Sequence, residues 1–252
     1  PYFLAKSLRR NRKMKSGTIA GIPEASIVDL GAATLLGWIA YRIYDDILDN
    51  EGNPEDLPLG NTALRQLSIS LHAKFSSGDS ALFHHIMNGI DNANLWERKA
   101  CFIEPLNSKI TISGLPDFGK GPFAYASLAN KSLGHALGPI CILRLMNNGE
   151  NHRKNLKRDI AQTEAFFKHY IIARQLNDDA HDWLTDLERG FLNCASVLTI
   201  RHWRKSQKLP QKKRRNRSLE NFDIDLSEQS KDKEILRSIF WHKTIVKITN
   251  DI

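Results

Sequence analysis

The chain is 252 residues long, 41% of them hydrophobic and 25% charged, with a formal net charge of +8. These are the proportions of an ordinary globular chain with one large domain or two small ones, long enough to bury a core and enclose a cavity. The charge excess points to one of three polyanions: nucleic acid, an anionic membrane surface, or a small substrate such as a diphosphate.

The excess gathers in two runs. One is Arg9, Arg10, Arg12, Lys13 and Lys15; the other is Lys208, Lys212, Lys213, Arg214, Arg215 and Arg217. The plainer account of each is a solvated loop. Neither interleaves aromatic residues or carries a groove-reading motif, so nucleic acid is the weakest of the three partners. The cysteines, Cys101, Cys141 and Cys194, make no Cys-x-x-Cys pair. That argues against a disulfide framework or a zinc site and fits a reducing, cytoplasmic compartment. The longest apolar stretch, Leu30 to Tyr41, is bounded by Asp29 and Arg42 and is too short to span a bilayer. The first residue is Pro1 and not Met, which leaves room for further residues at either end, a targeting segment among them.

In chain order the pattern is helix after helix, with alternating strand patterns nearly absent. Pro23-Glu24 opens a long segment to Asn50, with proline at the start and an acid in the first turn. Gly52, Asn53, Pro54, Pro58 and Gly60 read as a loop. Helical segments follow over Thr62–Phe75 and Ser80–Cys101, then a loop rich in Gly and Pro from Pro105 to Pro122. An apolar helix covers Phe123–Met146, punctuated by Gly134, Gly138 and Pro139. After Asn147-Asn148-Gly149 a long helical pattern runs from His152 to Gly190. The stretch Lys205–Ser230 reads as a polar loop, and an amphipathic helix, Lys231–Ile248, closes the chain. Helices that are apolar nearly all round imply an all-α bundle with a thick core, here one domain around a central cavity.

Two acidic clusters stand out. Asp45, Asp46 and Asp49 lie at the C-terminal end of the first long helix, in YRIYDDILDNEG. Asp45 and Asp49 share a helix face about 6 Å apart, where like charges repel. A helix C-terminus is also the wrong end for anions. Carboxylates placed so unfavourably call for a cation, and magnesium suits them: it takes oxygen ligands and bridges one or two carboxylates to substrate phosphates. The second cluster, in RQLNDDAHDWLTDLERG, holds Asp178, Asp179, Asp182 and Asp186. Asp178, Asp182 and Asp186 form one stripe over two turns, and Asp178, Asp179 and Asp182 repeat the Asp-Asp-x-x-Asp spacing. Two such clusters inside apolar helices suggest facing walls of one cavity whose metals would grip a diphosphate and neutralise a leaving pyrophosphate. An exposed acidic helix end is the alternative for either cluster alone.

At these residues, from about Ile27 to Gly190, the sequence resembles the class I isoprenoid synthase superfamily. That group includes the trans-prenyl diphosphate synthases, the squalene and phytoene synthases and the terpene cyclases. Arg42 before Asp45, the string YASLANKSLGHALGP, and Gln175-Leu176 with Asp178, Asp182, Asp186 and Gly190 resemble the squalene/phytoene branch. The double Asp-Asp-x-x-Asp pattern, and Lys131-Ser132 as a Lys-Thr-like pair on a broken helix, resemble the polyprenyl diphosphate synthase branch. That branch's Gly-Gly-Lys-x-x-Arg-Pro segment is missing, and the terpene cyclase pattern is matched poorly.

The resemblance implies a magnesium-dependent prenyltransferase that joins an allylic prenyl diphosphate to isopentenyl diphosphate. Head-to-head coupling, cyclisation and a non-catalytic synthase subunit stay open beside it. Asp45, Asp46, Asp49, Asp178, Asp179 and Asp182 are the expected catalytic metal ligands, with Asp186 in support. Arg42, Lys131, Arg174 and Gln175 are the expected substrate contacts. For Arg42 and Arg174 an intrahelical ion pair is the plainer role, and for Lys131 a surface position. His181 reads as a residue behind the ligands or in the core. Trp38, Tyr41, Phe166, Phe167 and Tyr170 read as core, unless some line the cavity and stabilise a cation with their ring faces. The run Lys212–Arg217 is either a lid over the diphosphate or solvated. The expected setting is the cytoplasm, peripheral at a membrane surface, and the oligomeric state is open, a homodimer included.

Overall fold

The computed structural model describes residues 18–19, 22–48, 51–72, 80–119, 125–146, 153–206 and 222–251. Asp49 and both basic runs lie outside the described residues. The chain is mostly helical, as expected. It begins with the short paired strands β1 (Thr18–Ile19) and β2 (Ile22–Pro23) and helix α1 (Glu24–Leu48), followed by α2 (Leu57–His72) and α3 (Ser80–Ala100). Then come β3 (Lys109–Ile112), α4 (Ala126–Lys131), α5 (Leu137–Met146) and the long α6 (Arg153–Glu188). The chain continues through α7 (Cys194–Ser206), β4 (Phe222–Asp225), α8 (Lys231–Ile239), a π-helical turn over Phe240–Thr244, and α9 (Ile245–Asp251).

The chain divides into two compact units. The first is Pro1–Asp91 with Asn130–Lys168, and the second is Asn92–Ala129 with His169–Ile252. In the first, α1 and α2 pack antiparallel. Gly37 lies against Leu67 and Gly60 against Ile43, so small residues on each helix admit a large one from the other. α1 buries one stripe, Ile27, Leu30, Ala33, Gly37 and Ala40, at helical spacing. The rest of α1 is apolar but not covered: Val28, Leu35 and Trp38 are more than half exposed. Trp38 therefore is not core, and neither are Phe166 and Tyr170, which face outward from α6. At 25 residues α1 runs well past the apolar stretch Leu30–Tyr41. By length and composition it is long and apolar enough to cross a membrane, with 28% of its most apolar window buried.

Pro58 and Gly60, read from sequence as loop, sit inside α2. A 3-10 turn over Pro54–Asp56, capped by the Asn53 side chain, feeds directly into the helix. Pro58 stands in the first turn, where a missing N–H costs no hydrogen bond. The segment expected as one helix over Phe123–Met146 is broken after Lys131. A 3-10 turn over Leu133–Ala136 separates α4 from α5.

The core of the second unit gathers Ile110, Leu176, Trp183, Leu187, Leu192, Ile200, Ile224, Leu236 and Phe240, with others. Trp183 of α6 stacks on Phe240 at 4.8 Å between centroids and 18° between planes. β3 and β4 pair antiparallel, with Ile110 opposite Ile224, and Thr111 Oγ1 donates to Asp223 Oδ1 at 2.7 Å. Asn107 and Ser108, both at positive φ, form a tight turn closed by two hydrogen bonds between Leu106 and Lys109. Gly190, at φ +85°, ends α6: its N–H donates to Leu187 O, and the Phe191 N–H donates to Asp186 O. A methyl group on Gly190 would run into the Ile103 carbonyl and the Pro105 ring. Gly190→Ala is thus expected to destabilise by more than about 1 kcal/mol, read as a lower thermal midpoint with unchanged helix content at low temperature. An unchanged midpoint would show that this corner relaxes freely.

Candidate functional site

The first acidic cluster belongs to the first unit. Asp45 and Asp46 occupy the last turn of α1, both partly exposed. That turn closes when the N–H groups of Glu51 and Gly52 donate to Asp46 O at 2.8 and 2.7 Å. Gly52 has to be small there, because a Cβ would press on the Ile47 backbone at 2.7 Å. Each carboxylate has a cationic partner. Arg42 Nη2 lies 2.8 Å from Asp46 Oδ1, one turn apart on the same helix. This pair has the base N-terminal to the acid, the weaker order, and is largely open to solvent, so it contributes a few tenths of a kcal/mol.

The second partner comes from elsewhere in the chain. Lys131, the last residue of α4, puts its Nζ 2.9 Å from Asp45 Oδ1, with the lysine side chain 20% exposed. The helix ends at Lys131, so the contact is made from its last turn. Behind the cluster, Tyr41 Oη donates to Met87 Sδ at 3.3 Å and Tyr44 Oη donates to Asn61 Oδ1 at 2.7 Å. Burial first, and Asp91 second, push both tyrosine hydroxyls above the usual phenol range. Both tyrosines therefore stay neutral and fix the last turns of α1.

The second cluster belongs to the second unit and divides by face. Asp178 and Asp182, one turn apart, are exposed; Arg174 Nε lies 3.7 Å from Asp178 Oδ2. Asp179 points the other way and is 4% exposed. Its Oδ1 accepts from Gln175 Nε2 at 2.9 Å, and its Oδ2 accepts from the Cys194 N–H, the first residue of α7, at 2.9 Å. Asp186 Oδ2 accepts from Asn193 Nδ2 at 2.7 Å, while Asn193 Oδ1 caps α7 by accepting from the Ser196 N–H at 2.8 Å. The inward acids thus satisfy a helix N-terminus brought into the core, where bare N–H groups would be costly. His181 is exposed, with Nδ1 against the Asn177 carbonyl, and so is not a core residue.

Lys131 and Asp45 were nominated by separate signals and meet. Arg42 meets Asp46 and not Asp45. Gln175 meets Asp179, and Arg174 meets Asp178. Sequence reasoning missed Asn193, whose signal was its place three residues before Ser196 at a helix start, and the pair Lys233 Nζ–Glu188 Oε1 at 2.6 Å. That pair lines a cavity of about 250 Å3 with Ser108, Leu226, Ser227 and Glu228, none of them a nominated site residue.

Among the described residues, no three His, Cys, Asp or Glu side chains gather into a metal site on their own. Magnesium is compatible with less: one or two carboxylates, several waters and the substrate's phosphates complete its sphere. The partly exposed Asp45 and Asp46 and the exposed Asp178 and Asp182 are donors of that kind. Comparison with protein-family models, with curated proteins and with solved structures finds no match.

The buried acid has a measurable consequence. Burial pushes the Asp179 carboxyl from 3.8 up to about 7; the hydrogen bonds from Gln175 and Cys194 oppose the shift, and Asp186 and Glu97 add to it. The folded chain then holds this proton more tightly than the unfolded one. Its stabilising effect is complete below about pH 4 and is lost as pH rises toward 7. Asp179→Asn keeps an acceptor for Cys194 and a partner for Gln175. Urea titrations from pH 4 to 8 should show wild-type stability falling by up to about 1.4 kcal/mol per pH unit more steeply than the variant's. Parallel slopes would rule Asp179 out as the source.

Proposed function

We propose that this chain is a magnesium-dependent enzyme of isoprenoid metabolism, acting in the cytoplasm at or near a membrane surface. Its substrate is an allylic prenyl diphosphate, joined to isopentenyl diphosphate with release of pyrophosphate. What carries the reading is the contact of Lys131 with Asp45 at 2.9 Å. A residue nominated for phosphate contact and a residue nominated for metal contact come from different helices to one point.

In this reading Asp45, Asp46 and Asp49 hold magnesium in the first unit, and Asp178 and Asp182 hold it in the second. Bound magnesium would supply charge neutralisation on the departing pyrophosphate. Lys131, Arg42 and Arg174 leave their carboxylate partners and take phosphate oxygens, so each ion pair keeps its carboxylate in place until substrate arrives. Asp179, Asp186 and Gln175 fix the rotation of α6, which decides whether Asp178 and Asp182 point outward. As the carbon–oxygen bond of the allylic donor breaks, its electron pair leaves with pyrophosphate. The double bond of isopentenyl diphosphate then attacks the allylic carbon, and the resulting cation gives up a proton to the released pyrophosphate, restoring a double bond in the longer diphosphate.

A second reading is head-to-head coupling of two allylic diphosphates. It is favoured by the spacing of Gln175-Leu176, Asp178, Asp182, Asp186 and Gly190, which resembles the squalene/phytoene branch, and by the exposure of Asp178 and Asp182. Radiolabelled isopentenyl diphosphate separates the two. Label is expected in a longer diphosphate product, whereas an apolar product from donor alone would establish the second reading. Asp45→Asn and Asp178→Asn are each expected to lower pyrophosphate release by about 100-fold or more with unchanged helix content. Wild-type turnover in both variants would defeat both readings, and no turnover with any donor would point to a non-catalytic subunit.

A further inference from the structure

The second unit holds a cavity that the diphosphate chemistry leaves unused. It measures about 250 Å3 and is lined by Ser108, Glu188, Leu226, Ser227, Glu228 and Lys233. The end of α6, the turn before β3, the residues after β4 and the first turn of α8 contribute to it. Backbone bonds fix its walls. The Leu226 N–H donates to Ser108 O at 2.8 Å, and the Ser227 N–H donates to Asp225 Oδ1 at 3.0 Å. Ser230 Oγ donates to Asp225 O at 2.6 Å and accepts from the Asp232 N–H at 3.1 Å, which caps α8.

Two of the lining residues are ones that stability alone would not choose. Lys233 is 8% exposed and pairs with Glu188, yet an apolar side chain of similar size would be as stable there or more so. Ser108 is the second central residue of its turn, at φ 61°, and Asn107 before it is at φ 51°. Glycine is the favoured residue in that second place because it has no Cβ. Serine costs the backbone something and keeps a hydroxyl at the cavity wall.

The lining charges select the ligand. One ammonium, two carboxylates and two hydroxyls meet at this cavity. A bare anion would face Glu188 and Glu228, and a metal cation would face Lys233. A zwitterion answers both signs at once. Liquid water takes about 30 Å3 a molecule, so there is room for about eight waters, or for one solute with about that many non-hydrogen atoms. We infer that this cavity binds a small α-amino acid, its carboxylate on Lys233 Nζ and the Ser108 hydroxyl, its ammonium on Glu228 and Glu188. Asp178 and Asp182 do not line it, so the inference stands apart from the diphosphate reading. Amino-acid binding without turnover, and turnover without amino-acid binding, are separate results.

The test is calorimetric titration of the full chain with L-serine and L-threonine, and with two truncated forms of threonine. One is 1-amino-2-propanol, which lacks the carboxylate; the other is 3-hydroxybutyrate, which lacks the ammonium. At least one amino acid is expected to bind. Each truncated compound should bind about tenfold more weakly or worse, since it leaves a charged partner unmatched. Glu228→Gln, at an exposed position, should weaken amino-acid binding about tenfold and leave 3-hydroxybutyrate unaffected. Ser108→Gly should weaken it about fivefold while melting no lower than wild type, because glycine suits the turn. That pair of results separates a recognition role from a structural one. No binding of serine or threonine at millimolar concentration, or a truncated compound bound as tightly as the amino acid, would overturn the inference. So would wild-type affinity in both variants, or a Ser108→Gly chain that melts lower and binds as before.

Discussion

The second unit depends on one buried hydrogen bond, from the Cys194 N–H to the Asp179 carboxylate. α7 enters the core N-terminus first, and every residue from Cys194 to Ile200 is buried. Its leading N–H groups cannot reach water, so they need acceptors from the protein. Asp179 supplies one from α6 and Asn193 another from the turn before the helix. The cost is a desolvated carboxyl, offset by two donors and by the positive end of the α7 dipole. Once α7 is seated, Thr199 can register the π-helical turn and Phe240 can stack on Trp183.

The same bond gives the acid-rich helix two faces. Adjacent residues on a helix differ by about 100° in direction. With Asp179 held inward, Asp178, about 100° round the helix, faces solvent beside Arg174, and Asp182, about 60° away on the same side as Asp178, is exposed as well. The four acids read in sequence as one cluster therefore serve two purposes: two hold the fold and two remain available to a ligand. The first cluster is built otherwise. There the helix simply ends, and Lys131 and Arg42 supply the positive charge that the α1 C-terminus lacks.

Much of this was legible in the sequence, and the rest was hidden for physical reasons. The long helices announced themselves through apolar periodicity; the break after Lys131 did not, because Gly134, Gly138 and Pro139 all fall beyond it. α7 did not, because CASVLTI is buried on all sides and so carries no period to read. β3 escaped because its alternation, Lys-Ile-Thr-Ile, is only four residues long and its partner lies 112 positions away at Asp223. Pro58 and Gly60 looked like loop residues, yet a proline in a first turn and a glycine under Ile43 are both helix-compatible. Trp38, Phe166 and Tyr170 looked like core because composition cannot say which face of an apolar helix is covered. Within Asp178-Asp179 the two residues are chemically identical, so only the position of α7 decides which is structural.

The central claim is this division of labour on α6, and a magnesium titration in the presence of pyrophosphate tests it most directly. Calorimetry would compare wild type, Asp179→Asn and the double variant D178N/D182N, all at a pH where each is folded. The account expects wild-type binding in Asp179→Asn and loss of binding in D178N/D182N. Binding lost in Asp179→Asn but kept in D178N/D182N would contradict it, because the buried carboxylate would then be the ligand and the outward pair mere surface charge.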